Sequence, residues 1–162
     1  MTNHFRKTGV LTQEDLENNF PPPERREKGP VAVIEDVEEI PCNPCKEVCP
    51  FDAIEMNSLT DPPKLNFEKC TGCALCLRYC PGLAIFIVDQ ANSPDEKTWI
   101  TIPYEYLPIP DEGDEVKGLD REGNEFPAKV VRVVRARKGV DFYLVTIEVD
   151  EELQDIVRGV RC

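Results

Sequence analysis

Eight cysteines dominate the chemistry open to this chain of 162 residues. Cys70, Cys73, Cys76 and Cys80-Pro81 form a run spaced two, two and three residues apart. Three thiolates at that spacing on a tight loop converge on three corners of a cubane iron–sulfur cluster. Gly72 lets the loop close. The fourth cysteine points away and ligates a neighbouring cluster, and the proline after it fixes the exit of the chain.

The run is preceded by a partial copy of itself. Cys42, Cys45, Cys49-Pro50 and Ala53-Ile54 recur as Cys73, Cys76, Cys80-Pro81 and Ala84-Ile85, always 31 residues apart. A constant offset of this kind implies two copies of one small unit related by approximate two-fold symmetry. By the exchange rule, Cys49, Cys70, Cys73 and Cys76 hold one complete [4Fe-4S] cluster. Paired CxxC motifs also bind zinc, but zinc fingers do not use a duplicated three-cysteine run ending in Cys-Pro.

The second site, Cys42, Cys45 and Cys80, lacks a thiolate. The repeat would place one at residue 39, which is Glu39. A carboxylate, Asp36 or Glu39, or the terminal Cys162 can supply the fourth bond. Oxygen ligation is acceptable at one iron, though harder than thiolate. Otherwise the cluster is [3Fe-4S], or its fourth iron takes water or a partner's ligand. Either way its potential should differ from its neighbour's.

The elements that must carry these residues are short. Fifteen prolines and nine glycines favour turns over long helices. Residues 1–30 read as an arm, with a helix start at Thr12–Asp15 and an extended Pro21–Pro23. The arm is either a loose terminus or a strap on a partner. Val31–Ile34 is a short apolar strand, and residues 31–97 hold both cluster motifs. Residues 98–162 read as a small β-rich module: a loose strand Trp99–Tyr106, a hairpin of Val116–Leu119 and Ala128–Arg137, and a strand Phe142–Val149. A short helix is expected from Asp150 to about Arg158. Arg132, Arg135, Arg137 and Lys138 mark either a contact face or a charged strand edge. Phe51, Phe67, Tyr79 and Phe86 are expected to pack around the clusters and exclude water.

Other chemistry finds little support. The single histidine, His4, sits in the arm, so a Ser/His/Asp set is ruled out. No Gly-rich phosphate loop is present, and catalysis by this chain alone is not expected. The net charge of -12 argues against nucleic acid and fits docking on a basic partner. No run approaches the ~20 apolar residues of a membrane span. The first residues lack the apolar stretch of a signal peptide. Together with the many thiols, these features point to a reducing cytoplasm.

The Cys70–Pro81 run and its partner half resemble bacterial two-cluster ferredoxins over about residues 31–95. The resemblance implies an α+β fold, a ferredoxin-like dicluster domain followed by the small β-rich module. A finer resemblance lies in Val31–Asp36, in Glu38–Cys45 and in Ile102–Pro108. It is to the small ferredoxin-like subunits of FAD-dependent amino-acid or amine dehydrogenases of the proline, hydroxyproline and opine type. That family implies a cysteine where Asp36 stands, which makes Asp36 the leading substitute ligand. It also implies a hetero-oligomer with an FAD-containing dehydrogenase, in which two clusters draw a flavin's electrons off singly. A free, diffusing ferredoxin and a non-redox or sensing iron–sulfur protein are the competing readings.

Overall fold

The computed structural model describes residues 3–162. The arm carries two short helices, α1 (Asn3–Thr8) and α2 (Pro23–Arg26), with a 3-10 turn at Glu17–Asn19 between them. Thr12 and Asp15 do form reciprocal hydrogen bonds: the Thr12 amide donates to Asp15 Oδ2 at 3.1 Å and the Asp15 amide to Thr12 Oγ1 at 3.3 Å. They close a turn only; the helix expected there is absent, and Leu16 drops into the core fully buried.

The arm is neither loose nor extended away from the chain. The Asn19 side-chain amide donates to the Ile34 carbonyl at 2.6 Å. Arg25 and Arg26 at the end of α2 are both buried. Arg26 meets Asp155 at 2.9 Å. A guanidinium brought inside needs every donor matched, and those matches tie the arm to its own protein.

The repeat appears as two matched units. The first is β1 (Val31–Ile34), α3 (Pro44–Glu47) and β2 (Ile54–Glu55). The second is β3 (Lys64–Leu65), α4 (Leu75–Tyr79) and β4 (Ile85–Asp89). The outer strands β1 and β4 pair antiparallel, from Val31 opposite Val88 to Ile34 opposite Ile85. The inner strands β2 and β3 form a separate two-stranded sheet. All four residues of β1 are buried, as its unbroken apolar run requires.

Five further strands follow: β5 (Lys97–Tyr104), β6 (Glu115–Leu119), β7 (Glu125–Arg135), β8 (Tyr143–Asp150) and β9 (Gly159–Arg161). They extend the same sheet in the order β1-β4-β5-β8-β7-β6-β9. β4 and β5 pair directly, Asp89 opposite Trp99, so one sheet crosses residue 97. One core contains Ile100, Val145, Ile147, Val149 and Val157. The other gathers Ala32, Ile34, Leu77 and Ile85 with Phe142, just before β8, and Leu144 within it. Leu77 is fully buried there, and its truncation to Ala would cost about 2–5 kcal/mol.

Two expectations for this half, the helix after Asp150 and its cap, are corrected. The helix after Asp150 is only a 3-10 turn, Glu151–Leu153, and the chain then enters β9. Asp150 makes no side-chain cap; its carboxylate takes Lys97 Nζ at 2.5 Å instead. β8 pairs residues 129–135 of β7 and β6 pairs residues 125–129, so past Lys129 one side of β7 is a strand edge. Arg132 and Arg135 lie where β7 runs on past β6. There Arg135 pairs with Asp141 and stacks 5.3 Å from the Tyr143 ring centroid.

Candidate iron–sulfur sites

The two Cys-Pro corners share a local structure that the sequence motif hides. Asp52 and Leu83, one repeat apart, both take positive φ, 48° and 53°. That left-handed step turns the next amide back onto the cysteine. The Ala53 amide donates to Cys49 Sγ at 3.4 Å and the Ala84 amide to Cys80 Sγ at 3.5 Å. The Ala32 amide does the same for Cys70 Sγ at 3.4 Å. Amides aimed at sulfur favour the more reduced charge state of a bound cluster.

Cys49, Cys70, Cys73 and Cys76 line one cavity together with Ala32, Ile54, Leu65 and Ile87. The lining beside the thiols is mainly apolar. Cys76 is buried while Cys73 is exposed, so the site opens to solvent on the Cys73 side. Burial, with the Cys70 and Cys73 thiols nearby, pushes Cys76 up to about 12. Without a cation the Cys76 thiol stays protonated, and metal binding there must release that proton.

Gly72 sits at φ +67°, and a Cβ there would fall 2.6 Å from the Pro30 backbone. The glycine is therefore demanded by the arm lying on the loop, as well as by the turn. Pro30 is held in place by Arg25, whose Nη2 reaches its carbonyl at 3.0 Å.

The second set is joined by charge rather than by a shared cavity. Burial, then the Cys80 thiol, pushes Cys45 up to about 11, with Cys42 and Asp36 adding to the shift. Cys42 rises for the same reasons, burial first, then Cys80 and Asp36. Cys42, Cys45, Cys80 and Asp36 thus occupy one electrostatic neighbourhood. Asp36 is half-buried, which raises its own pKa, and accepts the Glu38 amide at 3.4 Å. Glu39, the repeat partner of Cys70, is exposed. Cys162 lies at the end of β9, its thiol 3.4 Å from Tyr104 Oη and 3.7 Å from the Pro108 carbonyl, with none of the other seven thiols. The two copies also diverge at the start of their helices: Ala74 caps α4 at φ 63°, whereas Asn43 caps α3 at φ -140°.

The donor chemistry fits iron–sulfur clusters: none of the eight cysteines is in a disulfide, and seven fall into two adjoining sets. Among the described residues, no three His, Cys, Asp or Glu side chains close around a point that a single ion would fill. Residues 40–84 match the family of 4Fe-4S dicluster domains. Residues 40–84 thus carry the features of a 4Fe-4S dicluster domain.

Relatives match less than half of the chain. One subunit of the Na(+)-translocating ferredoxin:NAD(+) oxidoreductase complex of Acetobacterium woodii is 45% identical over 48 residues, 30% of this chain and 14% of that protein. An uncharacterized ferredoxin of Methanocaldococcus jannaschii is 41% identical over 76 residues, 42% of this chain and 45% of that protein. An uncharacterized polyferredoxin-like protein of the same organism is 40% identical over 70 residues, 36% of this chain and 41% of that protein. The matches thus span less than half the length of these relatives. No solved structure matches the chain.

The aromatic shell expected around the dicluster domain is thinner than its sequence implies. Phe51 borders the cavity but is 45% exposed, and Tyr79 is 43% exposed beneath the Arg137 guanidinium. Phe67 is partly buried. Phe86 is buried, but in the opposite core, under Arg158. Alternation along β4 sends Phe86 to one face while Ile85 and Ile87 face the cysteines. Arg25 was the residue that motif reading missed, since no spacing rule links it to Cys70. His4 lies on α1, in the arm. Among the described residues, no helix is long and apolar enough to cross a membrane.

Proposed function

We propose that this protein is the iron–sulfur electron-transfer subunit of a flavin-dependent dehydrogenase, passing single electrons from its partner through two clusters. Support comes first from one observation: Cys49, Cys70, Cys73 and Cys76 line a single, mainly apolar cavity beside the Cys42, Cys45, Cys80 and Asp36 group. Bound iron–sulfur clusters supply one-electron acceptance and release.

In this reading the chain's own residues do three things. The seven cysteines hold the two clusters, with Asp36 as fourth ligand at the Cys42, Cys45 and Cys80 site. That site carries a [4Fe-4S] cluster with an oxygen ligand, or a [3Fe-4S] cluster where Asp36 does not bind. The Ala32, Ala53 and Ala84 amides set the charge on three of the sulfurs. The apolar side chains around Cys76 keep water from one cluster while exposed Cys73 gives its electrons a way out.

The N-terminal arm and the strands from β5 onward favour a fixed subunit over a minimal carrier, since together they add far more chain than the matched residues 40–84. One relative is named as a subunit of an oxidoreductase complex. A freely diffusing ferredoxin is the second reading, favoured by the net charge of -12. Affinity isolation of the tagged protein from its native host under air exclusion separates them. Recovery with a flavoprotein in fixed ratio supports the subunit. Recovery as a monomer, binding reductases only at low salt, supports the carrier.

A further inference from the structure

We propose that Arg25 is the counter-charge of the cluster held by Cys49, Cys70, Cys73 and Cys76, a positioning residue delivered to that site by the N-terminal arm. The inference rests on the reading of those four thiols as ligands.

Arg25 is 5% exposed. Its guanidinium gives every arm to a backbone carbonyl: Nε to Phe67 at 2.7 Å, Nη1 to Gly29 at 3.0 Å, and Nη2 to both Pro30 at 3.0 Å and Cys70 at 2.5 Å. Two of those carbonyls belong to the approach to the cysteine loop, and one is that of a ligand itself. Pro30 lies directly on Gly72 within the loop.

None of the four acceptors is charged. Among the described residues, Arg25 makes no ion pair, whereas Arg26, Arg121 and Arg158 each meet a carboxylate. Arginine does not lose its proton, and a buried charge without an opposite charge is costly. Four thiolates around an oxidised cubane core leave that assembly net negative. It is the anion that this cation lacks. Reduction adds one electron from an external donor and breaks no bond, so it deepens the negative charge beside Arg25. A fixed positive charge there favours the reduced form and raises the potential of that one cluster.

The test is an EPR-monitored redox titration of the two-cluster protein as wild type, Arg25→Met and Arg25→Lys. Arg25→Met should disfavour one-electron reduction of one centre about tenfold, a fall of about 59 mV, and leave the other unmoved. Arg25→Lys keeps the charge but cannot fork to four carbonyls; it should restore most of the shift. Equal potentials in wild type and Arg25→Met overturn the proposal, as do equal shifts in Met and Lys. If Arg25→Met fails to take up iron, Arg25→Lys decides: wild-type iron content and potentials support the counter-charge, and loss of iron in both assigns a purely structural clamp. Wild-type protein that binds no cubane cluster refutes the underlying ligand reading instead.

Discussion

Arg158 and Glu35 meet in the protein interior, with Arg158 Nε donating to Glu35 Oε1 at 2.6 Å across 123 residues of sequence. Glu35 directly follows the first strand of the cluster units, and Arg158 precedes the last strand of the sheet. Arg121 binds the other carboxylate oxygen through Nε at 2.8 Å. The side chains of Glu35 and Arg158 are 6% and 5% exposed, so the pair is shielded from water. Glu35→Ala removes the carboxylate that two guanidiniums share, leaving Arg158 only Asp155 at 3.9 Å, and should cost about 3–5 kcal/mol. Denaturant unfolding of wild type and variant measures it.

The same pair predicts an acid limb. Burial alone would raise the Glu35 pKa, but the hydrogen bonds and charges of Arg121 and Arg158 outweigh it and hold it below the ordinary carboxylate value. A depressed folded pKa gives stability that is complete above the unfolded value. It is lost as pH falls through the folded one. Wild type should therefore lose stability below about pH 4.5, the ordinary value, and Glu35→Gln should lose less over the same interval. Unfolding midpoints taken across that range check the difference.

Gly72→Ala places a methyl 2.6 Å from the Pro30 backbone at φ +67°. The strain of the left-handed step alone is about 1–3 kcal/mol, and the clash adds to it. The loop should open, and iron bound per chain should fall by about one cluster. Iron and sulfide analysis of the purified variant reads this. Gly82→Ala is the control, because a Cβ there meets nothing within 4 Å.

Cys162→Ser should leave iron content and the cluster absorbance unchanged. Its thiol faces Tyr104 and Pro108. A loss of iron on this substitution would place Cys162 among the ligands.

How much of this was legible beforehand follows from the range of each interaction. The seven cysteines and the repeat could be read because cluster ligation fixes short spacings, and β1, β6 and β8 because alternation or an unbroken apolar run marks a strand. The shared sheet could not: pairing of Asp89 with Trp99 is set by packing of Phe142 and Leu144 against the cysteine core. Asp150-Glu151-Glu152 has the composition of a helix start, yet the residues that follow must also supply β9 against β6, which leaves room for one 3-10 turn. Nothing in the sequence marks Arg25 or Glu35, because Phe67 and Arg158, which they bind, lie 42 and 123 residues away.

Asp36 gives the sharpest prediction about the second site. Asp36→Ala should convert that cluster to the [3Fe-4S] form, with an EPR signal in the oxidised state. Asp36→Cys should keep four irons and lower the potential, since thiolate donates more charge than carboxylate. An oxidised-state signal already present in wild type would remove Asp36 from the ligand set.

Two adjoining clusters on the seven cysteines, cycling by single electrons, are what every step above depends on. Low-temperature EPR of the anaerobically purified protein, before and after dithionite, tests this most directly. Such a pair should give a silent oxidised state and, on reduction, two centres whose spins broaden and split each other's signals. A single isolated reduced centre, or a protein that stays silent throughout, would contradict it.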